Sequence, residues 1–167
     1  MSRANIESRD KLPRAKLSLV VQYASSAQHM PGRAQFRRWI MAALQRDAAI
    51  TLRIVDEPEG RELNMKYRGK DYATNVLTFS YGDCETATSD SVILSGDVVI
   101  CAPVVEQEAS AQHKNLLEHY AHLAIHATLH LQGYDHEDEN DAARMESLET
   151  ALMLKLRYPD PYQATRQ

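Results

Sequence analysis

HATLHLQGYDH, residues 126–136, places three histidines and one glycine within eleven positions, and the chain around it is best read outward from there. His126 and His130 are four apart, a spacing that puts two side chains on one helix face about one turn from each other. Upstream, Leu116, Leu117, Tyr120, Leu123, Ala127 and Leu131 keep the helical period, which predicts one long helix from about Gln112 to Leu131. Gly133 stops it, because glycine readily takes the left-handed backbone that ends a helix and turns the chain back. Three residues later His136 returns to the point that the first two imidazoles face. Beyond the turn, Met145, Leu148, Leu152 and Leu156 predict a last helix from about Asn140 to Leu156, followed by an irregular tail from Tyr158.

Toward the N-terminus the pattern alternates between two periods. Leu17, Leu19 and Val21 mark a half-buried strand, His29–Gly32 is turn material, and Phe36, Trp39, Ile40, Ala43 and Leu44 recur at helical spacing. Ile50, Leu52 and Ile54 give a second strand. Asp56-Glu57-Pro58-Glu59 opens a short helix through first-turn proline and acidic preferences, and Gly69 closes it. VLTFS (Val76–Ser80) reads as a third strand, and the polar run Gly82–Ser91 as a mobile loop. VILSGDVVIC is a fourth strand in which Gly96 marks a bulge or a close backbone approach. The expected order is strand, helix, strand, helix, two strands, two helices. It predicts an α+β fold: a single domain with a mixed sheet of about four strands covered by helices, and a three-histidine metal site at the end of a long helix.

At 167 residues the chain fits one domain over residues 1–167, with 1–16 and 163–167 expected to be flexible tails. A composition of 44% hydrophobic and 25% charged residues is that of a soluble globular protein, and no apolar run approaches the roughly 20 residues of a membrane span. The first residues lack an apolar core followed by a small-residue cleavage site, so no signal peptide is expected. Cys84 and Cys101 form no CxxC pair and are read as free thiols in a reducing cytoplasm. The net charge of −4 hides an asymmetry: residues 1–70 carry +7 and the remainder −11. From charge alone the basic first part reads as solvated helix faces before it reads as a surface for a polyanion, and the acidic part is expected to face solvent or a protein partner.

Three neutral imidazoles, His126, His130 and His136, leave the fourth tetrahedral position of a zinc ion open, as in a catalytic rather than a structural site. Zinc is the expected ion, although nickel, copper and iron also bind imidazole. His119 and His122, nearly on the same face, are read as packing or supporting residues, and His29 and His113 as surface residues. Metzincin proteases share this ligand spacing but place a glutamate directly after the first histidine, where this chain has Ala127. Without that base, peptide hydrolysis is disfavoured. Phosphodiester cleavage needs instead a cation beside the metal, best an arginine, whose fork matches phosphate oxygens. YRGKDYATNVLTF, Tyr67–Phe79, supplies Arg68 and Lys70 around a glycine, with Asp71, Thr74 and Asn75 as hydrogen-bonding partners.

With both stretches in hand, the chain resembles the YbeY family of bacterial metallo-endoribonucleases, the rRNA maturation factors. The likeness runs from about Leu52 to Tyr162 through ELNMKYRGKDYATNVLTF, SGDVVIC, HATLHLQGYDH and MESLETALMLKLRYPDPY. It implies zinc ligands at His126, His130 and His136, a functionally essential arginine at Arg68 and a Zn2+ cofactor; on the residues' own chemistry Arg68 is read as catalytic and substrate-binding, with Lys70 helping to hold the strand. It also implies a single-strand-selective endoribonuclease in rRNA maturation, notably at the 3′ end of 16S rRNA, and in ribosome quality control. The implied partners are single-stranded RNA and rRNA, with ribosomal small-subunit proteins or other ribosome-associated factors, and no membrane. Two positions depart from the family: Ser95 stands where a larger apolar residue is usual, and Arg157 where a glycine is expected. The alternatives are a metzincin-like zinc protease and a non-catalytic, zinc-stabilised ribosome assembly factor.

Overall fold

Strand β1 (Leu17–Ala24), helix α1 (Arg33–Ala43) and strand β2 (Ala48–Val55) open the chain. In β2 the residues Ala48, Ile50, Leu52 and Ile54 are buried and their neighbours half-buried, so the alternation seen in sequence is the alternation of the two sheet faces. Helix α2 (Glu57–Arg68) and strands β3 (Val76–Glu85) and β4 (Val92–Cys101) follow. The four strands form one sheet in the order β1-β2-β4-β3, with β1, β2 and β4 parallel and β3 antiparallel to β4. The expected mixed four-stranded α+β domain is therefore present. The computed structural model describes residues 14–85 and 92–163. Residues 1–13, 86–91 and 164–167, which hold most of both expected tails and of the expected loop, lie outside the described residues, as does the side chain of Cys84.

Three sequence expectations need correction. The order has an additional helix: α3 (Ala102–Ala111) leaves β4 without a linker, with Pro103 in its first turn and Ala102, Val105 and Ala109 buried. The long helix α4 (Leu116–Leu131) starts at Leu116 rather than Gln112, because His113 takes a positive φ of 53° and Asn115 caps the helix, accepting from the N–H groups of Leu117 and Glu118. Finally, β3 runs on to Glu85, into the stretch expected to be loop. A bulge between Ser80 and Asp83 resets the register, after which Asp83, Cys84 and Glu85 pair with Leu94, Ile93 and Val92. An edge strand takes its bonds from its neighbour and needs no alternating pattern of its own. Helix α5 (Glu139–Lys155) closes the fold as expected.

The main core lies on one face of the sheet, where α4 packs with α1 and α5 over Leu19, Ile50, Leu52, Leu94, Val98 and Ile100. Ten of the sixteen residues of α4 are buried, so its imidazoles project from a helix that has little freedom to move. Edge-to-face contacts run from Trp39 to Phe36 to Tyr120, with ring centroids 5.5 and 6.1 Å apart, and tie α1 to α4. On the opposite face, α2 and α3 cover a smaller cluster of Val55, Leu77, Val99 and the buried free thiol Cys101, and the sheet there is otherwise partly open.

Gly96 fixes how close α4 comes. A Cβ there would stand 2.8 Å from Leu131 Cδ2 and 3.0 Å from the Phe79 carbonyl oxygen, so the absent side chain admits the end of α4 to the β3–β4 ribbon. Arg157 has φ +68°, the left-handed conformation just past a helix end, which is the physical reason a glycine is usual there. Among the described residues, four arginines of the basic first part are engaged within the fold. Arg33 and Arg37 donate to the Leu19 and Leu17 carbonyls along edge strand β1, Arg53 pairs with Glu59, and Arg61 pairs with Asp71. Among the described residues no helix is long and apolar enough to cross a membrane.

Candidate active site

Helix α4 carries His119, His122, His126 and His130 in steps of three and four, a ladder along one side. Gly133, at φ +100°, ends the helix; the Tyr134 N–H then bonds back to Leu129 O at 3.2 Å. The same turn aims the Tyr134 carbonyl at His130 Nδ1, 3.0 Å away, so the stop that the sequence places at Gly133 also orients the second histidine. His136 comes round as expected. The ring centroids of His126, His130 and His136 lie 5.7–6.5 Å from one another. His130, Asp135 and His136 each bring a ligand atom within 4.8 Å of the others, a group able to hold a metal ion. His126 stands just outside that tighter group.

Support for the ladder comes from two carboxylates. Glu149 of α5 is fully buried and accepts from His126 Nδ1 at 2.5 Å, from His122 Nε2 at 2.8 Å and from the Tyr162 hydroxyl. Burial pushes its carboxyl up, but the hydrogen bonds from His122 and His126 outweigh this and hold it at about 2. An ionised Glu149 keeps a proton on His126 Nδ1 and leaves Nε2 with a free lone pair, the form a metal requires. The Tyr134 carbonyl does the same for His130, and burial lowers that imidazole's pKa, again favouring the neutral form. Glu108 of α3 receives His119 Nε2 at 2.7 Å and Asn75 Nδ2 at 3.1 Å. His122 and His119 are thus supporting residues, whereas His29 and His113 are exposed at positive φ.

Arg68 reaches this centre from the far end of α2. A cavity of about 450 Å³ is lined by Arg68, Thr74, Asn75, Val76, Thr78, His126, His130, Asp135, His136 and Glu137. The αL residue Gly69 terminates α2 there and turns the chain toward β3. Lys70 is exposed and does not line the cavity, and Asp71 points instead at Arg61 (2.7 and 2.9 Å). Asp135 accepts the His136 backbone N–H at 2.7 Å and so braces the turn that carries the third histidine. Sequence reasoning missed Glu149, Tyr162 and Glu108. Glu149 had a signal: it sits four residues from both Met145 and Met153, a charge in the apolar stripe of α5. Ala127, where a metzincin carries its base, is fully buried and has no group that can take a proton.

The fold is shared with a solution structure of a Thermotoga maritima protein, 21% identical, with a TM-score of 0.50 over 83% of this chain and 92% of that one. A family profile described as Endoribonuclease YbeY matches residues 22–157. Relatives of that name are 56% identical in Thiobacillus denitrificans (88% of this chain, 97% of the relative) and 54% in Nitrosospira multiformis (89% and 82%). One from Nitrosomonas eutropha is 54% identical over 86% of this chain and 97% of its own length. The class these relatives define is that of the endoribonucleases. The chain belongs to the YbeY family.

Proposed function

We propose that the chain is a zinc-dependent endoribonuclease that cuts single-stranded RNA and acts in rRNA maturation, at the 3′ end of 16S rRNA, and in ribosome quality control in the cytoplasm. The observation that carries this reading is the single cavity in which Arg68 meets His126, His130 and His136. Family membership supplies the reaction class; the cavity supplies a place for it. Ribosomal small-subunit proteins or other ribosome-associated factors are the partners expected for this role.

His126, His130 and His136 would hold the ion. The fit rests on the donor set: two imidazoles have their Nδ1 atoms engaged by Glu149 and by the Tyr134 carbonyl, leaving Nε2 for a ligand. Three imidazoles and no thiolate suit an open zinc site. When bound, zinc supplies a Lewis acid for a phosphoryl oxygen and acidifies water. The rest of the chemistry belongs to the chain. Arg68 grips the non-bridging oxygens of the scissile phosphate and neutralises the charge that builds there in the transition state. Asn75, held by Glu108, and Thr78 give the cavity a polar wall against which the phosphate is oriented. Lys70, outside the cavity, holds a neighbouring phosphate.

The test is cleavage of an end-labelled single-stranded RNA beside the same RNA as a duplex. Wild type, His130→Ala and a chelated sample with zinc restored are compared. Single-strand cutting that vanishes in His130→Ala and returns with zinc supports the proposal. No cutting by protein carrying stoichiometric metal would refute it in favour of a non-catalytic assembly factor.

A further inference from the structure

Consecutive residues of a strand point to opposite faces of its sheet, and β3 is an edge strand, so its two faces meet at a free edge. Thr78 lines the cavity on the α4 side; Phe79, next to it, packs on the α2 side. At the end of α2 the same split recurs, with Arg68 in the cavity and Tyr67 against Phe79, ring centroids 4.9 Å apart at 62°. Tyr67 is nevertheless 56% exposed. Its ring is held edge-on by Phe79, with Lys66 Nζ 5.2 Å from its centroid.

Charge marks what this patch receives. The arginines nearby on β2 and early α2 are paired, Arg53 with Glu59 and Arg61 with Asp71. Lys66, Arg68 and Lys70, on either side of Tyr67, meet no carboxylate among the described residues. An exposed aromatic ring with Lys66 over it and Arg68 and Lys70 beside it, three cations that meet no carboxylate among the described residues, matches the stacking-plus-phosphate arrangement that holds single-stranded nucleic acid. A protein partner with an apolar surface would leave those cations unmatched.

We propose that Tyr67, supported by Phe79, is a stacking platform for an unpaired base next to the phosphate held by Arg68, and that it provides the selectivity for single-stranded RNA. This rests on the endoribonuclease reading. A strand gripped by Arg68 crosses the free edge of β3 and lays its neighbouring base on Tyr67. A base locked in a duplex already stacks on both its neighbours and cannot do so.

The test uses metal-chelated full-length protein, so that nothing is cut, and a single-stranded RNA decamer carrying one 2-aminopurine, whose fluorescence falls when it stacks. Wild type and Tyr67→Phe should bind and quench it. Tyr67→Leu, which keeps apolar contact with Phe79 but has no ring, should bind about five- to a hundredfold more weakly and lose the quenching. An abasic oligomer of equal length should bind wild type and Tyr67→Leu alike, since only phosphate contacts remain. Circular dichroism of both variants checks their fold. Tyr67→Leu binding and quenching as wild type would overturn the platform while leaving the nuclease reading intact. Failure of the wild type to bind or cut any RNA would overturn both.

Discussion

Glu149 is where the structure predicts most from one side chain. Replacing it with alanine removes the acceptor for His126 Nδ1, leaves His122 Nε2 only its longer 3.3 Å contact with the Tyr162 hydroxyl among the described residues, and opens a void beneath the ladder. A hydrogen bond to a charged group contributes about 1.5–3 kcal/mol. Only one of the three bonds at Glu149 reaches a proposed metal ligand, and burial of the carboxylate opposes the gain. The loss at the ion is therefore a fraction of the total, about 10–100-fold in affinity, or about 1.4–2.7 kcal/mol. Glu149→Gln keeps the shape and one acceptor oxygen, and His122 can change tautomer to meet the new amide. It should fall near the tenfold end, with Glu149→Ala near a hundredfold and with a lower Tm. The assay is competition for zinc against a chromophoric chelator. Glu108→Gln is the control, because Glu108 also pairs with a histidine of α4 but with none of the three proposed ligands. Wild-type zinc affinity in Glu149→Ala, or an equal loss in Glu108→Gln, would refute the reasoning.

Arg68→Ala should lower kcat about 10²–10³-fold, the cost of removing one transition-state donor, while leaving bound metal unchanged by elemental analysis. Loss of metal would sink that role. Gly96→Ala drives a methyl into Leu131 and the Phe79 carbonyl, costing about 1–3 kcal/mol. At about 2–4 °C per kcal/mol for a chain of this size, calorimetry should show a clearly lower Tm, and an unchanged one would mean that Leu131 yields freely. Burial raises the Glu108 pKa, but the hydrogen bonds from His119 and Asn75 prevail and lower it below its ordinary 4.5. Its stabilisation is therefore present above about pH 4.5 and disappears as pH falls through the folded value. The Tm difference between wild type and Glu108→Gln should thus shrink toward low pH; a difference that grows on acidification would refute the sign.

What the sequence showed was whatever local periodicity encodes. The ladder of α4, the stop at Gly133 and the return of His136 are set within twenty residues and were all readable. Gly96 was readable as an anomaly, although its partner Leu131 was not. Helix α3 was missed because the apolar run of β4 passes straight into Ala102 with only Pro103 to mark the change. The extension of β3 past Ser80 was missed for the opposite reason: its polar residues carry no pattern, and hydrogen bonds from β4 alone make them a strand. The meeting of Arg68 with the histidines depends on the sheet order and on the closeness that Gly96 permits, so no reading of spacing could supply it.

The acidic half of the chain is a related lesson. Its charge suggested a face for solvent or a partner, yet Glu108 and Glu149 turn inward and grip the ladder from two different helices. One bonds His119 and reaches Asn75 in the cavity wall; the other bonds His122 and His126. Each carboxylate is costly to bury, and each remains ionised because imidazole N–H groups meet it. The arrangement holds α4 between α3 and α5 and sets imidazole tautomers before any ion arrives. In this way buried negative charge orients a cation site without lining it.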